Sequence, residues 1–458
     1  MQHSNTPILR HSKALTTALL ILAIGIGLVN VFLMPPFMNP DEIQHFMFSA
    51  SYAYNEEELK ELDRNVLQLL KNYKWFHFIG VGPGWESIEK IEDIYFLNYF
   101  SRGKKYINKT YFHFIYGKIL KFTGIKVKMK DTLTAFYLFR MVSFFIYLVI
   151  FLLSFFFYKT YFPESWIYLI TGQLVIFQLA TILNAVNYDV LLTLLGVLFF
   201  IFSYRFLISD EKKNLIFLIV LSALASLIKT GGLLFFIYFF ILLLFKYRIK
   251  LKFLKTLFLS LFLFIIIFSW FNYWFPERFF TLYNIFFSKL RTLTSASAVT
   301  GSAAAHFGFF NSIMDSFFFH TGWMAFKLSN IWYMVVKFCL FLSIIGVIVG
   351  IGIKKLNAAS IEKKWLIYAL IVSVMQMGAI RIYYGSVQMA QGRYLYPLII
   401  PIITLIYCGL SFIEKWLNFK RNYLVIFFIV FQVIFLLFAF TRIISVFYLE
   451  IPSPHPGL

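Results

Sequence analysis

Two adjacent carboxylates, Asp41 and Glu42, stand in the run Asn39-Pro40-Asp41-Glu42-Ile43-Gln44-His45-Phe46, directly after the first long apolar stretch of the chain. A carboxylate placed where a membrane helix leaves the bilayer can take a proton from a substrate that is itself held in lipid. The same run also reads as a helix start, with Asn39 as N-cap, Pro40 at the first helical position and Glu42 three residues after the cap. The two uses are compatible if one carboxylate is bound by the backbone and the other projects freely. The sequence leaves open which of Asp41 and Glu42 would be the base. His45 follows Asp41 by one helical turn, a spacing that suits a proton relay or a shared metal ion. No cofactor is otherwise called for, and a divalent metal at this pair is the one the spacing admits.

A second group of polar residues interrupts segments that would otherwise be apolar. Arg140 lies inside one; Asn184, Asn187 and Asp189 precede another; Lys229 closes one; Lys337 and Arg442 lie near the ends of two more. Arg381, Gln388, Gln391 and Arg393 fall in a short connection, and His306, His320 and Trp323 in a longer polar segment. An ionisable side chain at membrane depth costs roughly 2.5–3.5 kcal/mol on insertion scales. Several of them gathered toward one side imply a shared polar cavity, and cations there suit a phosphorylated lipid. Lys229, followed by Thr230-Gly231-Gly232, is the preferred phosphate contact, since glycine permits close backbone approach. Each residue also has an ordinary reading. Asn187 and Asp189 can cap a helix, Arg140, Lys337 and Arg442 can snorkel to head groups, and His306 can be simply solvated.

The elements that must carry these residues follow from composition. With 60% hydrophobic residues, 21% aromatic, 14% charged and a mean hydropathy of +0.77, the chain belongs in a bilayer. Apolar runs of about 20 residues recur at approximately 14–34, 133–158, 165–183, 189–208, 214–229, 231–245, 256–275, 331–353, 365–380, 394–413 and 423–446. The expectation is an all-α integral membrane protein of about eleven spans. The closely spaced fifth and sixth runs also read as one interrupted unit. The first run lacks a small-residue cleavage pattern and reads as a retained anchor. Cys339 and Cys408 fall inside apolar runs and act as small apolar side chains.

Lys and Arg in short loops stay on the cytoplasmic side. Arg10 and Lys13 place the N-terminus there, and alternation then puts Lys159, Arg205 with Lys212 and Lys213, Lys246 to Lys255, Lys354 to Lys364, and Lys415 to Arg421 on the same side. The net charge of +21 is therefore topology signal and contact with anionic lipid rather than a nucleic-acid surface. Two polar segments, about 35–131 and about 276–330, go to the outer face. The first should hold amphipathic helices from Asn55 to about Tyr73 and from Tyr111 to about Phe122, separated by a turn cluster at Gly80-Val81-Gly82-Pro83-Gly84.

The motifs resemble those of a bacterial polytopic membrane-protein family grouped with the GT-C superfamily of lipid-donor glycosyltransferases. Asn39 to Phe46 is similar to its P-P-D-E-P-x-H-F signature, with Ile43 in place of the usual Pro. Asn187-Tyr188-Asp189 resembles its N-x-D element, Ser316 to Met324 its S-F-W-x-x-F-G-W-M element, and Gln391-Gly392-Arg393-Tyr394 with Pro397 its Q-G-R-Y-x-x-P element. A P-L-Y-Y stretch is represented only by Tyr111-Phe112-His113-Phe114. The resemblance implies a GT-C-like fold and a polyprenyl-phosphate sugar donor, such as an undecaprenyl phosphate sugar. It implies a catalytic Asp41 or Glu42, with His45, Asn187, Asp189, His320, Trp323, Gln391 and Arg393 of the matching stretches binding substrate, and Lys229, Arg140 and Arg381 join them as the fixed cations that would face the leaving phosphate. Size and phenylalanine content are also similar to those of glucosyltransferases that modify lipopolysaccharide O-antigen outside the bacterial inner membrane, which suggests a cell-envelope glycan as acceptor. The rival expectations are a transporter or flippase of polyprenyl-linked sugars, and an O-antigen ligase or polymerase using His306, His320 and the external arginines.

Overall fold

A computed structural model describes residues 12–73, 110–209, 211–247, 251–274, 303–320, 327–352, 361–384, 391–419 and 422–449. Among the described residues there are helices and no strands. The helices are α1 (Ser12–Leu33), α2 (Glu42–Ala50), α3 (Glu56–Asn72), α4 (Tyr111–Thr123), α5 (Met129–Tyr161), α6 (Trp166–Leu174), α7 (Phe177–Leu183) and α8 (Asp189–Ile208). They continue with α9 (Lys212–Ile228), α10 (Leu234–Tyr247), α11 (Leu251–Trp274), α12 (Ala303–Phe318), α13 (Asn330–Gly352), α14 (Ile361–Tyr384), α15 (Ile399–Trp416) and α16 (Tyr423–Ile444). Two 3₁₀ segments, Thr230–Leu233 and Gly392–Leu398, lead into α10 and α15.

All eleven apolar runs are helical, but eight of the described helices are long and apolar enough to cross a bilayer, or nine if a bent pair counts as one span. The bent pair is α6 and α7, which meet at 64°. The two remaining runs fall short: α9 has 17 residues, and α11 counts as the apolar stretch Phe253–Ile267. Apolarity alone sets no helix length, which is why the sequence reading runs higher. The fifth and sixth runs are a hairpin. α10 packs back on α9 through the turn after Lys229, and a Cβ on Gly232 would collide with the backbone of Ala225.

Large apolar side chains such as Phe145, Phe258, Met334, Phe338 and Leu437 remain exposed along the helices, the surface a hydrocarbon solvent requires. The chain is an all-α, multi-pass membrane protein.

Both amphipathic helices of the first polar segment form as the sequence indicates. α3 begins with a reciprocal capping box, in which the Glu58 N–H donates to Asn55 Oδ1 (2.9 Å) and the Asn55 N–H to Glu58 Oε2 (2.8 Å). α4 is capped by Thr110 and ends at Gly124, whose φ of 64° is the left-handed conformation that closes many helices. The Gly80 to Gly84 turn cluster lies outside the described residues.

The bundle has two chemically different ends. At one, Lys246 Nζ donates to the carbonyls of Leu207 and Ser209, and Arg205 Nε to the Tyr161 hydroxyl, so the basic ends of α5, α8 and α10 meet. At the other, Asp41 at the start of α2, Asp189 at the start of α8, Lys229 at the end of α9 and Arg393 in the 3₁₀ segment before α15 come together.

Candidate functional site

Four carbonyls at the end of an α-helix lack partners within it. At the end of α1 the guanidinium of Arg140, from α5, fills that need: Nη1 donates to the carbonyls of Val31 (2.8 Å) and Met34 (2.5 Å), and Nη2 to that of Pro35 (3.1 Å). The same guanidinium holds Glu42 in a two-pronged pair, Nε to Oε1 at 3.0 Å and Nη2 to Oε2 at 2.8 Å, with both side chains fully buried. Glu42 also accepts the backbone N–H groups of Val186 (3.1 Å) and Asn39 (3.2 Å). Each carboxylate oxygen thus has two donors, and none of the group reaches solvent. Arg140 and Glu42, expected to bind phosphate and to act in catalysis, are here a structural rivet joining α1, α2, α5 and the loop before α8.

The helix start differs in register from the sequence expectation. α2 begins at Glu42 and its cap is Asp41, which has φ 64° and ψ 4°. Glu42 nevertheless accepts the Asn39 N–H, the reach of a capping box read from Asn39, although the helix starts two residues later. A left-handed conformation costs an L-residue roughly 1–2 kcal/mol, with Asp and Asn among the more tolerant. The turn swings the Asp41 carboxylate away from the backbone it would otherwise cap, and no hydrogen bond from the helix start holds it.

Asp41 instead meets Arg393, 352 residues later, with Nη2 to Oδ2 at 2.5 Å. The 3₁₀ segment carrying Arg393 lies against α8 at Gly196, where a Cβ would strike the backbone of Pro397. The Gly392 N–H donates to Ser316 Oγ on α12 (2.7 Å), which fixes the start of that segment. Asp189 opens α8 beside it: its Oδ2 is 3.6 Å from Arg393 Nε, and its Oδ1 accepts from Lys229 Nζ at 2.6 Å. Two acids and two bases therefore alternate as Asp41, Arg393, Asp189, Lys229, and their formal charges cancel.

The two cations are not equally available. Lys229 Nζ sits 4.5 Å from the ring centres of both Tyr188 and Tyr394, a cation–π sandwich completed by Asp189. Arg393 is 5% exposed, and its Nη1 has no hydrogen-bond partner among the described residues. Asp41 is the more open acid, with 27% of its side chain exposed against 2% for Asp189. Lys229 is the more fully engaged cation, although its side chain is 15% exposed against 6% for Arg393.

His45 lies one turn into α2 with its ring edge against Tyr188, centres 4.3 Å apart, and its Nδ1 2.8 Å from Nε2 of His113 on α4. Burial lowers its pKa well below the usual 6.5, and the nearby charges of Arg393 and Lys229 lower it further. The unfolded chain takes up this proton near pH 6.5 while the folded chain resists until lower pH. Stability from the neutral ring is therefore complete above about pH 6.5 and declines as pH falls below it. Thermal unfolding in detergent should show that decline, and His45→Gln should make it shallower; equal pH slopes would remove the assignment.

Asn187 orients the loop, its Nδ2 donating to the Pro40 carbonyl (3.3 Å) and its Oδ1 accepting the Asp189 N–H (2.9 Å). Gln391 precedes the 3₁₀ segment and its carbonyl accepts the Tyr394 N–H. The Arg381 guanidinium stacks over Phe309, and the His320 N–H donates to Gln178 Oε1; these contacts tie α14 and the end of α12 to their neighbours. Lys337 pairs with Asp315 (2.7 Å). Trp323, Gln388 and the side chain of His306 lie outside the described residues. Among the described residues no three His, Cys, Asp or Glu side chains group to hold a metal, and His45 Nδ1 is taken by His113.

His113 and the two tyrosines were not singled out as site residues. Tyr188 and Tyr394 sit inside the N-x-D and Q-G-R-Y stretches, a signal that was present. His113 lies in the Tyr111 to Phe114 stretch, where the match to the P-L-Y-Y element is poor.

Fold and site together define an all-α membrane protein with a charge-balanced cluster at one end of its bundle. Compared with protein-family models, curated proteins and solved structures, the chain matches none.

Proposed function

We propose that the protein is a GT-C-type glycosyltransferase that moves a sugar from a polyprenyl-phosphate donor to a cell-envelope glycan at the outer face of the bacterial inner membrane. The observation that carries this reading is the convergence of an open carboxylate, Asp41, with the incompletely engaged Arg393 at the bundle end opposite the basic termini. If those termini are cytoplasmic, as charge bias favours, the cluster faces outward.

In this reading Asp41 accepts the proton of an acceptor hydroxyl as that oxygen attacks the anomeric carbon. The bond from the anomeric carbon to the phosphate oxygen breaks, and its electron pair leaves with the polyprenyl phosphate. The leaving phosphate gains negative charge, which Arg393 stabilises through Nη1 while Nη2 keeps Asp41 in place. Lys229 offsets the charge of Asp189, so that Asp189 holds Arg393 without cancelling it. A single direct displacement inverts the anomeric configuration.

A transporter is favoured by one observation, the span broken between α6 and α7, because interrupted helices are common in transport folds. Purified protein in detergent separates the two. A transferase should move labelled sugar from polyprenyl phosphate to an acceptor glycan with no membrane dividing compartments. Transport of the lipid-linked sugar across proteoliposomes, with no transfer in detergent, would replace the transferase reading. Arg393→Ala should raise the KM for the lipid donor and lower kcat together, by about 10²-fold or more in kcat/KM. A donor KM and kcat equal to those of the unsubstituted protein would exclude this phosphate contact.

A further inference from the structure

The backbone N–H of Thr110 donates to Nδ1 of His113 at 2.8 Å. A backbone amide can only donate, so Nδ1 of a neutral His113 is an acceptor and the proton of that ring is on Nε2. Nε2 of His113 faces Nδ1 of His45 at 2.8 Å across stacked rings whose planes differ by 18°. Nδ1 of His45 must then accept, which puts the proton of His45 on its own Nε2. The chain of acceptors and donors starts from a group that cannot reverse, so it has one direction.

It ends on a donor with nothing to bind. Nε2 of His45 is enclosed and has no hydrogen-bond partner among the described residues, and the residue is 4% exposed. Arg393 and Lys229 are the charged groups that bear on it, while His113 and Tyr188 pack on its ring. Burial and those two cations keep His45 neutral, so it retains a single N–H. Nε and Nη1 of Arg393 also make no hydrogen bond among the described residues; Nε is 3.6 Å from Asp189 Oδ2, which leaves Nη1 as the donor with no ion-pair partner. Asp41 and Asp189 take the other nitrogens of Arg393, so the N–H at Nε2 of His45 and Nη1 of Arg393 are the donors left over, and a pair of buried donors suits an oxyanion.

We propose that Thr110, His113 and His45 form a tautomer relay that fixes an N–H at Nε2 of His45 and offers it, together with Nη1 of Arg393, to a phosphoryl oxygen. His45 is the contact and His113 a positioning residue that acts through it. The phosphoryl identity rests on the transferase reading above, whereas the direction of the relay does not.

Nitrogen NMR of the full-length protein in lipid nanodiscs, labelled with ¹⁵N at histidine, reports which ring nitrogen carries the proton. His45→Gln and His113→Gln assign the signals. The expected spectrum has His45 protonated on Nε2 before any addition, and that signal shifts on adding polyprenyl phosphate or inorganic phosphate. A shift with the lipid alone makes the ligand a head group, and a shift with both makes it any phosphate; either outcome supports the relay. A proton on Nδ1 of His45 overturns the relay, and a signal unmoved by both phosphates overturns the phosphoryl contact.

A kinetic arm distinguishes positioning from packing. His113→Phe keeps a ring in the stack but removes the donor to His45, and should raise the KM for the lipid donor about tenfold with kcat little changed. His113→Gln, whose amide can still donate to Nδ1 of His45, should recover most of that loss. Equal KM values in the two variants would mean that the ring acts by packing. If the chain transfers no sugar, the transferase reading fails while the nitrogen spectra still decide the relay.

Discussion

Asp41→Asn should accumulate in membranes as the unsubstituted chain does and transfer sugar about 10²- to 10⁴-fold more slowly, the range expected for loss of a general base. Asparagine tolerates the left-handed backbone of this position and its carbonyl can still accept from Arg393, so the turn and much of the contact survive. Only the ability to take a proton is lost. Asp41→Gly provides the complementary case, because glycine adopts φ 64° without the roughly 1–2 kcal/mol cost borne by aspartate. A residue needed only for its turn would be replaced by glycine with no loss of function. Both variants should instead be slowed to a similar degree, with Asp41→Gly folding at least as readily. The measurement is the initial rate of labelled sugar transfer from polyprenyl phosphate, normalised to folded protein. An unchanged rate in either variant would end the assignment of Asp41 as base.

The neighbouring carboxylate should behave in the opposite way. Glu42→Gln leaves the Arg140 guanidinium fully buried without its counter-charge, and removing one partner of such a pair costs about 3–5 kcal/mol. The loss extends beyond the pair, since Arg140 also binds the carbonyls that end α1 and Glu42 binds the Val186 N–H. Glu42→Gln and Arg140→Gln should therefore lower the yield of monodisperse protein and its unfolding temperature in detergent. Activity per folded molecule should fall far less than in Asp41→Asn. The double variant Glu42→Gln with Arg140→Met removes both charges and should be less destabilised than the sum of the single changes, because no buried charge is left unpaired. If Glu42→Gln folds normally and is inactive, the two carboxylates must exchange roles.

These experiments bear on the transferase reading as a whole. Loss of transfer in Asp41→Asn with normal folding supports it. Indifference to Asp41, with strong dependence on α6 and α7, would point toward a path through the broken span.

Much of the architecture was legible in the residues because hydrocarbon is a demanding solvent. Every backbone group must be paired within its own segment, so long apolar runs become helices, and all eleven did. The amphipathic helices from Glu56 and Tyr111 were legible from their local patterning, and in the structure contacts between residues three apart fix both starts. Span number was less so, since hydrophobicity does not register the bend between α6 and α7 or the hairpin at Lys229.

At the site, sequence alone determined that carboxylates follow the first span and that buried cations recur in later ones. The expense of burying charge in lipid leaves those positions visible one at a time. Only the tertiary structure decided their partners. Arg140 read as a phosphate ligand and is committed to Glu42; Lys229 is held by Asp189 between two tyrosines; Arg393 bridges Asp41 and Asp189. The two members of Asp41-Glu42 are chemically almost alike, and a left-handed turn at one residue sends one carboxylate into the bundle and the other toward its open end. Pairings across 98 and 352 positions of chain have no local signature, because they depend on which helix ends the packing brings together.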